Sequence, residues 1–225
     1  PADSLRSPAE LHRRALALPA RTLLTLGNLK RLAVARGGNA RTLRAEPCEE
    51  PGVVRLVHEE SGAAERYLVE SDRFAWPGAR EASRASETPV LVALALGAGG
   101  SPVPLEADAP TVFSYLPTGE RSGLRFLLHA HFDLPIDRER LDLESEWNRW
   151  AIGQAGVLLA RLAARLAASH PERLDAFLDV LPLPAELGHP AYAAVLERFV
   201  GHARGLRFLR AAFRQARPRS RGARR

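Results

Sequence analysis

Three residues in the stretch RFLLHAHFDLP (125–135) could do chemistry together: His129, His131 and Asp133. Two imidazoles and a carboxylate are zinc ligands. The order His-x-His-x-Asp opens the ligand set of metal-dependent hydrolases, in which the ion activates a water for attack. The same residues have a second reading. Side chains of a strand alternate with a period of two. Phe126, Leu128, Ala130, Phe132 and Leu134 then share one face, and Arg125, Leu127, His129, His131 and Asp133 share the other. The hydrolase motif carries a further His at its sixth position, where this chain has Leu134 followed by Pro135. The remaining histidines, His12, His58, His170, His189 and His202, form no second ligand motif. The expectation is the wet, polar side of a half-buried strand; a metal-dependent hydrolase using His129, His131 and Asp133 remains the alternative.

Other catalytic patterns are missing from the sequence. There is no Gly-x-Ser-x-Gly elbow and no phosphate-binding P-loop. Gly97-Ala98-Gly99-Gly100 lacks dinucleotide-binding spacing and reads as a turn.

The elements around the stretch follow from periodicity and turn chemistry. Ser7-Pro8-Ala9-Glu10 is a capping box with Pro at the first helical position, which predicts a helix from Pro8 to about Leu18. Short apolar runs at 29–36, 39–46, 52–59, 65–70, 89–96, 111–117 and 124–132 read as strands, punctuated by Gly, Pro and Ser turns. Thr118 to Gly123 (TGERSG) is a polar loop between the last two. From Glu144 the period lengthens: Trp147, Ala151, Ala155, Leu158, Leu162 and Leu166 form one helical stripe. Further helices are expected over 172–180 and 190–212. The fold class is α+β: a mixed or antiparallel β-sheet in the N-terminal two-thirds, with a C-terminal helical portion packed on it. The divisions are a capped helix at 1–20, a β-rich domain at 21–143, a helical portion at 144–213 that can belong to the same domain, and a basic tail at 214–225.

Composition narrows the classes. The 225 residues are 46% hydrophobic, enough for a sizeable core. The single cysteine, Cys48, excludes an internal disulfide, and beside Pro47, Glu49 and Glu50 it lacks the cations that make a reactive thiolate. No signal-peptide pattern and no apolar run of about 20 residues is evident, so the expected setting is cytoplasmic, with no membrane partner. The absence of methionine fits either a trimmed initiator or a piece of a longer protein. Arg, Ala and Leu dominate, as in proteins of GC-rich bacteria. Nine arginines and no acid lie between Arg204 and Arg225, whereas the whole chain carries only +6, so the body is mildly acidic. Such a tail could engage nucleic acid through counterion release, although no aromatic residue follows Phe213 to stack on a base. A nucleic-acid-interacting module is thus another alternative.

Residues 111–150, TVFSYLPTGERSGLRFLLHAHFDLPIDRERLDLESEWNRW, resemble the sacsin-like proteins of the ATPase superfamily that includes the Hsp90 chaperones, gyrase and the mismatch-repair proteins (GHKL). The resemblance is carried by Phe113, Tyr115, Leu116, Pro117 and Thr118, then by Ser122, Gly123, Leu124 and Phe126. Further on it is carried by His129, Phe132, Arg138, Trp147 and Asn148. The leucine-rich LLTLGNLKRLAV (23–34) also looks like the family's entry to its first strand after the ATP domain. The superfamily's nucleotide pocket uses a Glu-x-x-x-Asn helix, an Asp-x-Gly-x-Gly turn and a Gly-rich lid, all absent from this sequence. The resemblance therefore implies a non-catalytic middle, or transducer, domain. It would couple the nucleotide state of an adjacent ATP-binding domain to a partner or to an unknown, chaperone-type protein client. ATP and Mg would belong to that neighbour, and no cofactor to this chain. In related ATPases the second domain sends one basic residue to the γ-phosphate. Arg138, after strand and proline, is similar by position, with Arg140 and Arg121 as alternates.

Overall fold

The computed structural model describes residues 7–36, 38–78, 86–135 and 140–204. Its centre is a nine-stranded sheet. The strands are β1 (Arg31–Arg36), β2 (Asn39–Pro47), β3 (Val53–His58), β4 (Ala64–Ala75), β5 (Glu87–Leu96), β6 (Pro102–Val103), β7 (Val112–Ser114), β8 (Leu116–Pro117) and β9 (Leu127–Ala130). The order is β1-β2-β3-β4-β5-β9-β7-β8, with β6 paired to the end of β5. Every pairing is antiparallel except β7 with β9, which is parallel. The helices are α1 (Pro8–Leu16), α2 (Thr22–Thr25), α3 (Glu146–Ser169), α4 (Leu174–Val180) and α5 (Ala193–Ala203). This is the α+β class expected from the order of patterns.

Period-two alternation sorts the strands onto two buried faces. Val53, Leu68, Val90, Val92, Leu94, Val112, Leu128 and Ala130 point toward α3 and its neighbours, where Ala151, Ala155, Leu158, Leu162 and Leu166 meet them. That one core draws on both the β-rich and the helical portions. Leu43, Leu56, Tyr67, Ala93, Phe113 and Leu127 occupy the opposite face, covered by Ala20 and Leu23. Full burial of a Leu or Phe side chain contributes about 2 kcal/mol, so both faces stabilise the sheet substantially.

α3 is, among the described residues, the one helix long and apolar enough to cross a membrane by length and composition, and most of its apolar window is buried inside the fold. The expectation that no apolar run comes near that length is corrected accordingly. Its small residues set the packing: a Cβ on Gly156 would lie 2.2 Å from the Val195 carbonyl oxygen and 2.6 Å from the Phe199 amide nitrogen of α5. Only a glycine allows that approach. Arg161 donates to Asp72 at 2.7 Å and Arg165 pairs with Glu70 at 3.0 Å, tying the other side of α3 to β4.

Several boundaries depart from the sequence reading for local reasons. The run 124–132 forms a strand only over Leu127–Ala130. Pro89, opposite the end of β9, has no N–H to extend the ladder, and the His131 amide donates instead to the Thr88 hydroxyl at 3.0 Å. At the other end Gly123 turns the chain with φ 73°, and the Gly188 amide donates to the Ser122 carbonyl at 2.9 Å. The run 111–117 is split into β7 and β8 by Tyr115, the one non-glycine residue with positive φ (62°) among those described. The capped helix ends at Leu16, with the Ser7 hydroxyl accepting from the Glu10 amide at 3.2 Å. α2, β6 and the 3-10 turns before α4 and α5 had no counterpart in the periodicity. Of the helix expected over 190–212, residues 193–203 form α5, and 205–212 lie outside the described residues.

Candidate functional site

The strand β9 places His129 where alternation requires, but that face is not wet. His129 is 5% exposed. Its Nδ1 lies 3.2 Å from the Phe113 carbonyl oxygen and 3.3 Å from the Tyr115 amide nitrogen, so one tautomer donates to the first and the other accepts from the second. Tyr115 closes the site from above, its ring centroid 5.5 Å from that of His129. The covering layer comes from α2: the Thr25 hydroxyl, itself buried, bonds the Tyr115 carbonyl and lies 2.8 Å from the Thr22 carbonyl oxygen. The expected solvent-facing polar strand is thus corrected to an enclosed histidine. The reason is a four-residue helix too short to show a period in sequence.

Enclosure decides the charge. Burial lowers the His129 pKa to about 4; the Phe113 carbonyl opposes the shift and neighbouring His131 adds to it. His131 is only partly buried, and its pKa is lowered by desolvation and then by the charge of Arg73. Its ring stacks on Tyr115 at 4.7 Å with a 28° interplanar angle, and the two imidazole centroids are 5.8 Å apart. The two histidines and Tyr115 form one aromatic cluster. Asp133, third in the sequence motif, has its backbone committed elsewhere. Among the described residues no group of three His, Cys, Asp or Glu side chains converges as a metal site.

The elements downstream are held by side-chain-to-backbone bonds. Asn148, fully buried in the first turn of α3, accepts from the Asp133 amide at 2.8 Å. Its Nδ2 donates to the Asp133 and Asp142 carbonyls, each at 2.8 Å. One amide side chain therefore fastens the two ends of the chain between 133 and 142, using both of its donors. The Trp147 indole donates to the His131 carbonyl at 2.8 Å. Glu120, from the polar loop, accepts the Leu141 amide at 2.6 Å through Oε1. Arg140, next to Leu141, is exposed. Arg138 lies outside the described residues. Trp147 and Trp150 of α3 meet a third indole: Trp76, beyond β4, sits 6.0 Å from Trp147 and 5.2 Å from Trp150 by ring centroids.

Arg121 stands apart from this staple. It lines a cleft of about 900 Å³ built from the loop at 105–111, the polar loop at 118–125, and Glu186 and Gly188 of the connector after α4. Arg121 is exposed there, whereas Arg125 pairs with Glu186. The loop and the connector touch backbone to backbone: a Cβ on Gly188 would fall 1.7 Å from the Arg121 carbonyl oxygen. Glu120 was not singled out by any motif, and its role is visible only because the fold brings residue 141 to residue 120. No family model, curated protein or solved structure matches the chain.

Proposed function

We propose that this chain is the middle, or transducer, domain of a sacsin-like GHKL ATPase. It is non-catalytic alone and relays the nucleotide state of an adjacent ATP-binding domain to a partner or client. The observation that carries this reading is the Asn148 staple. Of the motif residues behind the resemblance, Phe113, Phe126, Phe132, Trp147 and Asn148 are buried while Tyr115 and Leu116 are exposed, and Asn148 fastens the backbone at Asp133 and at Asp142, two residues beyond Arg140. A cation that must meet charge on a separate module needs a fixed base and a free head. The staple supplies the base, and Arg140 is exposed beside it.

The chemistry fits a phosphate. A guanidinium is planar, permanently charged and able to donate two parallel hydrogen bonds to phosphate oxygens. ATP and Mg, held by the neighbour, would supply the bond to be cleaved. This chain's part is to bring positive charge to the terminal phosphate, where negative charge shifts during hydrolysis.

The test joins this chain to its ATP-binding partner domain. Arg138→Ala and Arg140→Ala are measured singly and together for ATP turnover. The residue that reaches the phosphate should lose on the order of a hundredfold in kcat on substitution. Turnover unchanged in the double variant sinks the reading.

A further inference from the structure

We infer that Glu120 is the positioning residue of the stretch Arg140–Leu141, and that it links this stretch to the last described helix, α5. The inference deepens the function proposed above, and rests on it only for the consequence in ATP turnover.

Glu120 lies in the polar loop, and its carboxylate reaches residues far away in sequence. Its Oε1 accepts the backbone N–H of Leu141 at 2.6 Å, one residue beyond Arg140. Its Oε2 accepts the hydroxyl of Tyr192 at 3.3 Å. Tyr192 is fully buried at the entry to α5. Burial and the nearby carboxylate both push the Tyr192 pKa up, so the phenol keeps its proton and can donate. The carboxylate thus gathers three pieces of chain: the loop at 118–123, the segment that emerges beside Arg140, and the start of α5.

Each link has little freedom. The loop is pinned on its other side because a Cβ on Gly123 would lie 2.0 Å from the Glu186 carbonyl oxygen, and Gly123 itself has φ 73°. The segment is pinned at Asp133 and Asp142 by Asn148. Leu141, 6% exposed, sits between the Asp142 fastening and Arg140. Asn148 binds the backbone of residue 142, but among the described residues the amide next to the guanidinium-bearing residue is held by Glu120. A hydrogen bond to a charged acceptor in a partly buried place is among the stronger single contacts, and losing it opens the amide about tenfold more often. The other oxygen of that carboxylate faces Tyr192, so movement of the α5 entry and movement of Arg140 share one side chain.

The experiment uses the chain itself. Glu120→Ala, Glu120→Gln and Tyr192→Phe are compared by hydrogen exchange at the Leu141 amide, by tryptic cleavage after Arg140, and by urea midpoint. Glu120→Ala should speed exchange and cleavage at this one place by about tenfold. Glu120→Gln keeps an acceptor oxygen and should stay within about twofold of the parent. Amides of β5 should not change beyond any shift in the midpoint. Unchanged cleavage in Glu120→Ala overturns the inference. So does acceleration at all sites in step with global destabilisation. In the joined ATPase, Glu120→Ala should lower kcat while leaving KM for ATP unaltered. If Glu120→Ala loosens Leu141 but the arginine variants leave turnover unchanged, the positioning role stands and the transducer reading falls.

Discussion

The sheet has two regions built on different physics. Under α3, strands β5 and β9 are closed on both faces, with Val90, Val92, Ala93, Leu94, Leu127 and Leu128 at 0% exposure. At the β1–β3 end Leu43, Val53 and Leu56 are still buried, but the outer strands add ion pairs at the surface. Arg31 and Arg44 stand directly opposite each other in the β1–β2 register, a like-charge pair that by itself is unfavourable. Glu59 resolves it, 3.0 Å from Arg31 and 3.5 Å from Arg44. The first region gains from burial and backbone approach, which solvent cannot screen. The second gains from Coulomb contacts in water, which salt screens. The histidine cluster and the Asn148 staple both grow from the first region, so the candidate site inherits its rigidity.

The sharpest way to break that contrast is at Gly156. Valine there must fit a branched side chain whose Cβ alone would stand 2.2 and 2.6 Å from backbone atoms of α5. A loss upward of about 3 kcal/mol is expected by urea denaturation, at the top of the overpacking range because neither partner atom can swing away. A tolerated Gly156→Val would mean that the helix pair is not what holds the covered half.

A second, smaller effect comes from His129. Its folded pKa of about 4 lies below the ordinary 6.5. Above pH 6.5 both folded and unfolded forms are neutral, and the residue has no pH dependence. As pH falls from 6.5 toward 4, the unfolded chain takes up the proton first and the folded state loses stability. The loss totals at most roughly 3 kcal/mol and levels off below pH 4. His131 shifts in the same direction. Urea midpoints measured across pH 7 to 4 should fall less steeply in His129→Phe than in the parent chain. Equal slopes would show that His129 is not enclosed.

The smallest effect belongs to the ion-paired end. Glu59→Gln exposes the Arg31–Arg44 repulsion at low salt. The change should vanish in strong salt, since Glu59, whose pKa is lowered by its bond to Arg31, lies at the surface. A salt-independent loss would place that end in the same class as the covered half.

How much of this could be read in advance varied with the range of the interaction. The α3 stripe was legible because period 3.6 repeats over many turns, and all six of its residues are buried. Alternation in β9 was legible too, since Leu127 and Leu128 do fall on opposite faces. What covers the His129 face was not, because α2 spans only Thr22–Thr25. The end of β9 opposite Pro89 and the break at Tyr115 were missed because they depend on a partner strand and on one residue's positive φ. Glu120, in a loop of polar residues, looked like any solvated charge.

The amino-acid order by itself determined the α+β class, the places where strands give way to helices, and which side chains face together along each element. These are local properties, set by periodicity and turn chemistry within a few residues. Only the tertiary structure decided that a polar-looking strand face is closed, and that Asn148 and Glu120 converge on the chain around Arg140. Those outcomes depend on contacts between residues far apart in sequence, and a hydrogen bond from residue 120 to residue 141 leaves no period for a sequence to display.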